Sequence, residues 1–219
     1  YEGKEKVVCA CGDFTADGKT LYDFCSVKNT VIDSEHGGSG TELSDVLESI
    51  EKQQSVNPEK LLEHFWNVFV VDALLGNFDR HNGNWGFLYD SKTDTAEIAP
   101  IFDCGSCLLP QADERIMNTV LNNDDELNAR IFRFPTSAIK LNGRKINYYD
   151  FLQAAENQDC NDAVMRMAPR INMNEICAFI EKVPFLDATQ KKFYQVYLAA
   201  RNQRIIEPAY THLLEQQRI

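Results

Sequence analysis

Residues 57–76 constrain the fold of this chain more than any other stretch. Asn57 is a good N-cap, Pro58 suits a first helical position, and Gly76 can end a helix in the left-handed conformation. Apolar residues occupy most positions in between, so a helix over 58–75 must be buried at the centre of a domain. Asn67 and Asp72 interrupt it, and nowhere does the chain carry the roughly 20 apolar residues of a membrane span.

A polar loop follows, then two runs of strand character, Trp85 to Asp90 and Glu97 to Phe102, with a turn-rich linker over 91–96. The pattern predicts a β-hairpin. Pairing Asp90 with Glu97 sets Asn84 opposite Asp103, where side chains stand about 4.5–5.5 Å apart at Cβ and can share a cation. Asp79, Asn84 and Asp103 are the candidate chemical residues. Phosphoryl transfer needs hard oxygen ligands for magnesium and a carboxylate that orients a hydroxyl and takes its proton. The plainer reading of each residue alone is an Asx turn or a strand end.

Elsewhere the pattern is coarser. Residues 5–11 read as a short strand and 15–40 as polar and turn-rich. His36-Gly37-Gly38-Ser39-Gly40 lacks the Lys-Ser/Thr of a phosphate cradle and reads as a mobile surface loop. Thr41 is the expected cap of a helix carrying Leu43, Val46, Leu47 and Ile50. Beyond about residue 111 everything reads as helical, with Asn172 capping one helix and Pro208 breaking or kinking a long final one from about Thr189.

The formal net charge of -11 argues against a nucleic-acid surface and against anionic membranes. Seven cysteines, an odd number in a domain too large to need staples, point to a reducing, cytoplasmic setting. Cys9-x-Cys11 and Cys104-x-x-Cys107 have the sulfur content of a zinc site, but the first spacing is poor. No signal-peptide core or initiator Met opens the chain, which is the expectation for a piece of a longer protein.

Asn77-Phe78-Asp79-Arg80-His81-Asn82-Gly83-Asn84-Trp85 and Ile98-Ala99-Pro100-Ile101-Phe102-Asp103-Cys104-Gly105 resemble the catalytic loop and metal motif of HipA-like serine/threonine kinases. Phosphatidylinositol kinases and antibiotic phosphotransferases share parts of the first run. The context from Phe69 to Asn77, Trp85 to Leu88 after it, and the spacing of the motifs favour the HipA-like family.

The resemblance implies an α+β fold: the mainly α-helical large lobe of a protein-kinase-like structure, with a catalytic-loop hairpin and a short remnant of the small lobe. Residues 1–14 would be the end of the small lobe and hinge, and 15–219 the large lobe. It implies ATP and magnesium (Mg2+) as cofactors, Asp79 as catalytic base, and Asn84 and Asp103 as metal and cofactor ligands. Cys9 and Cys11 would lie on the hinge that holds the adenine. His81 either assists catalysis or braces the loop, and Arg80 either meets a phosphate or forms an ion pair. The implied partner is a protein with a Ser or Thr acceptor. A lipid or small-molecule kinase, or a non-catalytic toxin-like module bound by an antitoxin-like partner, are the alternatives. The family's glycine-rich phosphate loop and strand lysine have no counterpart here, so weak nucleotide binding and little activity are expected of this chain alone.

Overall fold

The computed structural model describes residues 10–15, 17–32 and 37–218. Strand β1 (Lys19–Asp23) leads into α1 (Phe24–Val31), followed by α2 (Leu43–Lys52) and α3 (Pro58–Leu75). The hairpin β2 (Gly86–Asp90) and β3 (Thr95–Ile98) comes next, then α4 (Glu114–Asn122) and α5 (Asp124–Phe132). A two-residue pair, β4 (Lys140–Leu141) and β5 (Arg144–Lys145), precedes α6 (Tyr148–Ala154), α7 (Gln158–Met167) and α8 (Met173–Lys182). The chain closes with α9 (Ala188–Arg201) and α10 (Glu207–Gln216). This is a mainly helical α+β domain.

Helix α3 is the predicted central helix, residue for residue. The Asn57 side chain accepts from Lys60 N at 2.8 Å, and Gly76 takes the left-handed conformation at φ 66°. A side chain at Gly76 would also collide with the Tyr197 hydroxyl, so the position demands glycine twice over. Leu61, Phe65, Trp66, Phe69, Val70 and Ala73 are all buried, each contributing on the order of 1.5–3 kcal/mol for the larger side chains. Trp66 stacks on Phe151 of α6 with centroids 5.8 Å apart, and Phe69 meets Tyr148 at 5.2 Å.

The sheet order is β1-β2-β3, antiparallel throughout. Two features differ from the sequence reading. Residues 15–40 are not all turn: they hold β1 and α1, with Asp23 accepting from Ser26 N at 2.7 Å as the N-cap of α1. Phe24 then stacks on Trp85 at 4.0 Å and is fully buried. The hairpin register also differs. Asp90 pairs with Thr95, and Phe87 with Ile98, so the turn is Ser91 to Asp94. Asp90 accepts from Lys92 N at 2.8 Å, and Asp94, at φ 55°, accepts the Tyr89 hydroxyl at 2.8 Å; these local bonds shorten the turn. The shift is two residues, so each side chain keeps its face. The ladder ends at Pro100, which has no N–H to give.

Three further expectations are corrected. Thr41 does not cap α2: its hydroxyl donates to Ala138 O at 2.8 Å, and Glu42 takes the cap position. The Glu42 carboxylate instead accepts from Asn142 N and Gly143 N, docking the β4–β5 turn that the all-helical reading of this half omitted. His36 of the glycine-rich run lies outside the described residues; Gly37–Ser39 is not a mobile surface loop but a short 3-10 turn packed inward, with Gly38 and Gly40 buried. A Cβ on Gly38 would overlap the Cys25 carbonyl.

At the C-terminus Asn172 caps α8 as expected, accepting from Asn174 N and Glu175 N. Pro208 interrupts the α pattern: a π segment, Asn202–Ile206, separates α9 from α10. Widening the turn there accommodates a residue that cannot donate. Arg201, fully buried, donates from Nε to Ala73 O at 2.8 Å and lies over the Tyr197 ring at 5.5 Å. This fastens the last helices to the C-terminal end of α3. None of the described helices is long and apolar enough to cross a membrane.

Candidate active site

The loop after α3 is built on buried polar groups. Asp72, in the last full turn of α3, accepts from Arg80 Nε at 3.0 Å, from Arg80 Nη2 at 3.3 Å and from Asn77 Nδ2 at 2.9 Å. Burial pushes the Asp72 carboxyl up, while these three bonds pull against it. For Arg80 burial acts to lower the pKa, but hydrogen bonding and the Asp72 charge overcome it and hold the guanidinium well above its usual range. We take the pair as ionised, because each partner is fully engaged by hydrogen bonds. Arg80 is therefore the ion pair inside the loop, not a free phosphate ligand.

The same guanidinium gathers the two halves of the site. Arg80 Nη1 donates to Asn84 O at 2.8 Å, to Phe102 O at 2.6 Å and to Asp103 O at 3.4 Å. Asn84 and Asp103 are thus not cross-strand neighbours, as the expected register had it. Their carbonyls nevertheless lie within 3.4 Å of one nitrogen. Asp103 adopts φ 50° just beyond the hairpin and is exposed. Asn84 is buried and donates from Nδ2 to Asp79 O at 2.8 Å, which leaves Oδ1 as its oxygen for a cation.

Asp79 itself is half-exposed, with its N–H donating to Asn77 Oδ1 at 3.0 Å. His81 accepts from Gly83 N through Nδ1 at 3.0 Å, and its Nε2 stands 4.0 Å from Asp79 Oδ2. That geometry braces the loop while leaving one ring nitrogen beside the carboxylate. Asn82 donates from Nδ2 to Gly38 O at 2.7 Å and to Gly40 O at 2.8 Å. The glycine turn is thereby bolted to the loop after α3 by its carbonyls, the wrong polarity for cradling a phosphate. Lys28, whose pKa burial lowers against the Asp45 charge, donates to the same Gly40 O at 2.8 Å.

Cys9 lies outside the described residues, as does most of the expected 5–11 strand. Cys11 is exposed and belongs to no strand. The segment just after it reaches the site, because the Phe14 ring packs against Phe102 at 6.1 Å. No group of three or more His, Cys, Asp and Glu side chains poised for a metal occurs among the described residues. Asn84 Oδ1 with the Asp103 carboxylate suits magnesium, which usually takes one or two carboxylates from protein and the rest from phosphates and water. A structural zinc site would need four Cys or His ligands gathered tetrahedrally. Asp72, Asn77 and Asn82 were missed by sequence reasoning. A buried Asp followed by an Arg was the available signal for the first.

With this geometry in hand, the HipA-like C-terminal domain family matches residues 17–183. The chain belongs to that family. It is 52% identical over 213 residues to the serine/threonine-protein kinase CtkA of Helicobacter pylori, covering 97% of this chain and 66% of that relative. It therefore spans just under two thirds of the curated relative's length. The crystal structure of the Helicobacter pylori proinflammatory kinase CtkA superposes with a TM-score of 0.91 at 50% identity, over 94% of this chain and 75% of that one. The matched residues take in the loop after α3, the β2–β3 hairpin and the helices through α8.

Proposed function

We propose that this chain is the large lobe of a serine/threonine protein kinase that moves the γ-phosphoryl group of ATP to a protein hydroxyl. The observation that carries the reading is the Arg80 clamp, which joins the Asp79 loop to the Asp103 motif through Asn84 O and Asp103 O. The name of the relative at 52% identity supports it. In this reading Asp79 orients the acceptor hydroxyl and takes its proton as the oxygen attacks phosphorus. Asn84 Oδ1 and Asp103 would hold magnesium, which supplies charge neutralisation at the phosphates. His81 braces the loop and limits the positions open to Asp79. The segment through Cys9 and Cys11, whose described end carries Phe14 onto Phe102, would form the hinge against the adenine, with residues 15–219 as the large lobe.

The deciding experiment is Asp79→Asn. Turnover on a protein acceptor is expected to fall by about 10²–10⁴-fold, the usual worth of general base catalysis, while nucleotide affinity stays near the parental value. Near-parental turnover in this variant would mean that Asp79 is not the base.

A further inference from the structure

Cys104 and Cys107 have no part in the fold's packing argument or in the chemistry proposed above. They close a single turn: Cys107 N donates to Cys104 O at 3.2 Å, with Gly105 and Ser106 at its corner. A turn of this kind holds its first and fourth Cα atoms within about 7 Å, and disulfides join Cα atoms about 4.4–6.8 Å apart. Cys104 is exposed and Cys107 half-buried, which gives one accessible thiol and one sheltered beside it. Cys104, the more exposed of the two, is the one met first by an oxidant. Of the other described cysteines, Cys25 is on α1, Cys160 is buried on α7, Cys177 is on α8, and Cys11 is exposed on the segment ahead of Phe14.

We propose that Cys104 and Cys107 form a reversible dithiol modification site, which hydroperoxides convert to an intramolecular disulfide. The Cys104 sulfur attacks the terminal peroxide oxygen, the O–O bond breaks, and the thiol proton leaves with the alcohol or water formed. The resulting sulfenic acid is attacked by the Cys107 sulfur; the S–S bond forms, the S–O bond breaks, and water departs with the second thiol proton. Two electrons pass to one peroxide, and a reducing dithiol returns them by exchange.

Disulfide formation also touches the clamp. Cys104 Sγ lies 3.4 Å from Arg80 Nη2, and turning it toward Cys107 breaks that contact beside Asp103. The thiol chemistry stands on the turn alone; only its effect on activity rests on the kinase reading.

The test is to treat the reduced 219-residue chain with equimolar hydrogen peroxide and follow it by intact mass and peptide mapping. The expected product has lost two hydrogen atoms, carries a Cys104–Cys107 link, and reverts with dithiothreitol. In Cys107→Ser, a sulfenic acid trappable by dimedone is expected on Cys104. If both cysteines remain alkylatable while others oxidise, or if Cys104 links elsewhere, the proposal fails. Turnover is expected to fall in proportion to the linked fraction and to return on reduction. A disulfide that forms without changing turnover overturns the coupling to Arg80. Because little activity is expected of this chain alone, turnover is read in a longer protein that carries the phosphate-holding groups; absent turnover there counts against the kinase reading, and the mass readout decides the thiol pair by itself.

Discussion

Arg80 Nε meets Asp72 Oδ2 at 3.0 Å, and through this buried pair the last full turn of α3 fixes the loop that carries Asp79. The side chains are 7% and 3% exposed, so neither charge has water to fall back on. Removing one partner strands the other, whereas removing both does not.

Asp72→Asn is therefore expected to cost about 3–5 kcal/mol, read as a lower urea midpoint, and to abolish turnover. Asp72→Leu combined with Arg80→Met should regain most of the stability and none of the activity, because the carbonyls of Asn84 and Asp103 lose their common donor. Recovery of turnover in the double variant would show that the clamp is dispensable.

Asp103→Asn should weaken magnesium-dependent nucleotide binding as well as turnover, since a full ligand charge disappears beside the cation. Asn84→Ala should lose less binding, because water can replace a neutral ligand. It also frees the Asp79 carbonyl from a 2.8 Å bond, so its turnover should fall further than its binding. Calorimetric titration with and without magnesium separates the two variants, and equal losses would contradict the assigned difference in charge.

Asn82→Ala removes both bonds that hold the Gly38 and Gly40 carbonyls. The expected cost is about 1–3 kcal/mol, with faster amide exchange in the glycine turn and in the loop at residues 79–84 together. Exchange that rises in only one of the two segments would show that they are not coupled.

The pH dependence of stability carries a term from His64, whose pKa burial lowers, with the nearby Arg80 charge adding to it. The unfolded chain binds a proton near 6.5 where the folded one does not, so stability is complete above that value and declines as the pH falls below it. Urea unfolding between pH 7.5 and 5 should show a shallower decline for His64→Gln. Parallel curves would remove His64 from the balance.

The sequence was most legible where the causes are local. Asn57, Pro58 and Gly76 mark both ends of α3 within one turn of each end, and the Asp79, Asn84 and Asp103 spacing survives whatever the hairpin register. The register itself depends on which of several Asp side chains folds back on the turn, and Asp90 and Asp94 both do. Edge strand β1 was hidden because it has only Leu21 and Tyr22 as apolar residues and is ordered by β2. Asn82 and Arg201 were invisible for another reason. Their acceptors, Gly38 O, Gly40 O and Ala73 O, lie far away in sequence, and nothing nearby signals a bond to a remote carbonyl.

The buried seat of Gly38 has a consequence for how variation in this chain would be inherited. Its α-hydrogen faces the Cys25 carbonyl, and its own carbonyl receives the Asn82 amide, so any side chain there displaces the loop on which Asp79 sits. In a screen of random substitutions for lost activity, Gly38 should be recovered alongside Asp79 and Asp103 as a member of the same group. Alleles at Gly38 and Asn82 should fail to worsen one another, as lesions in one shared part do.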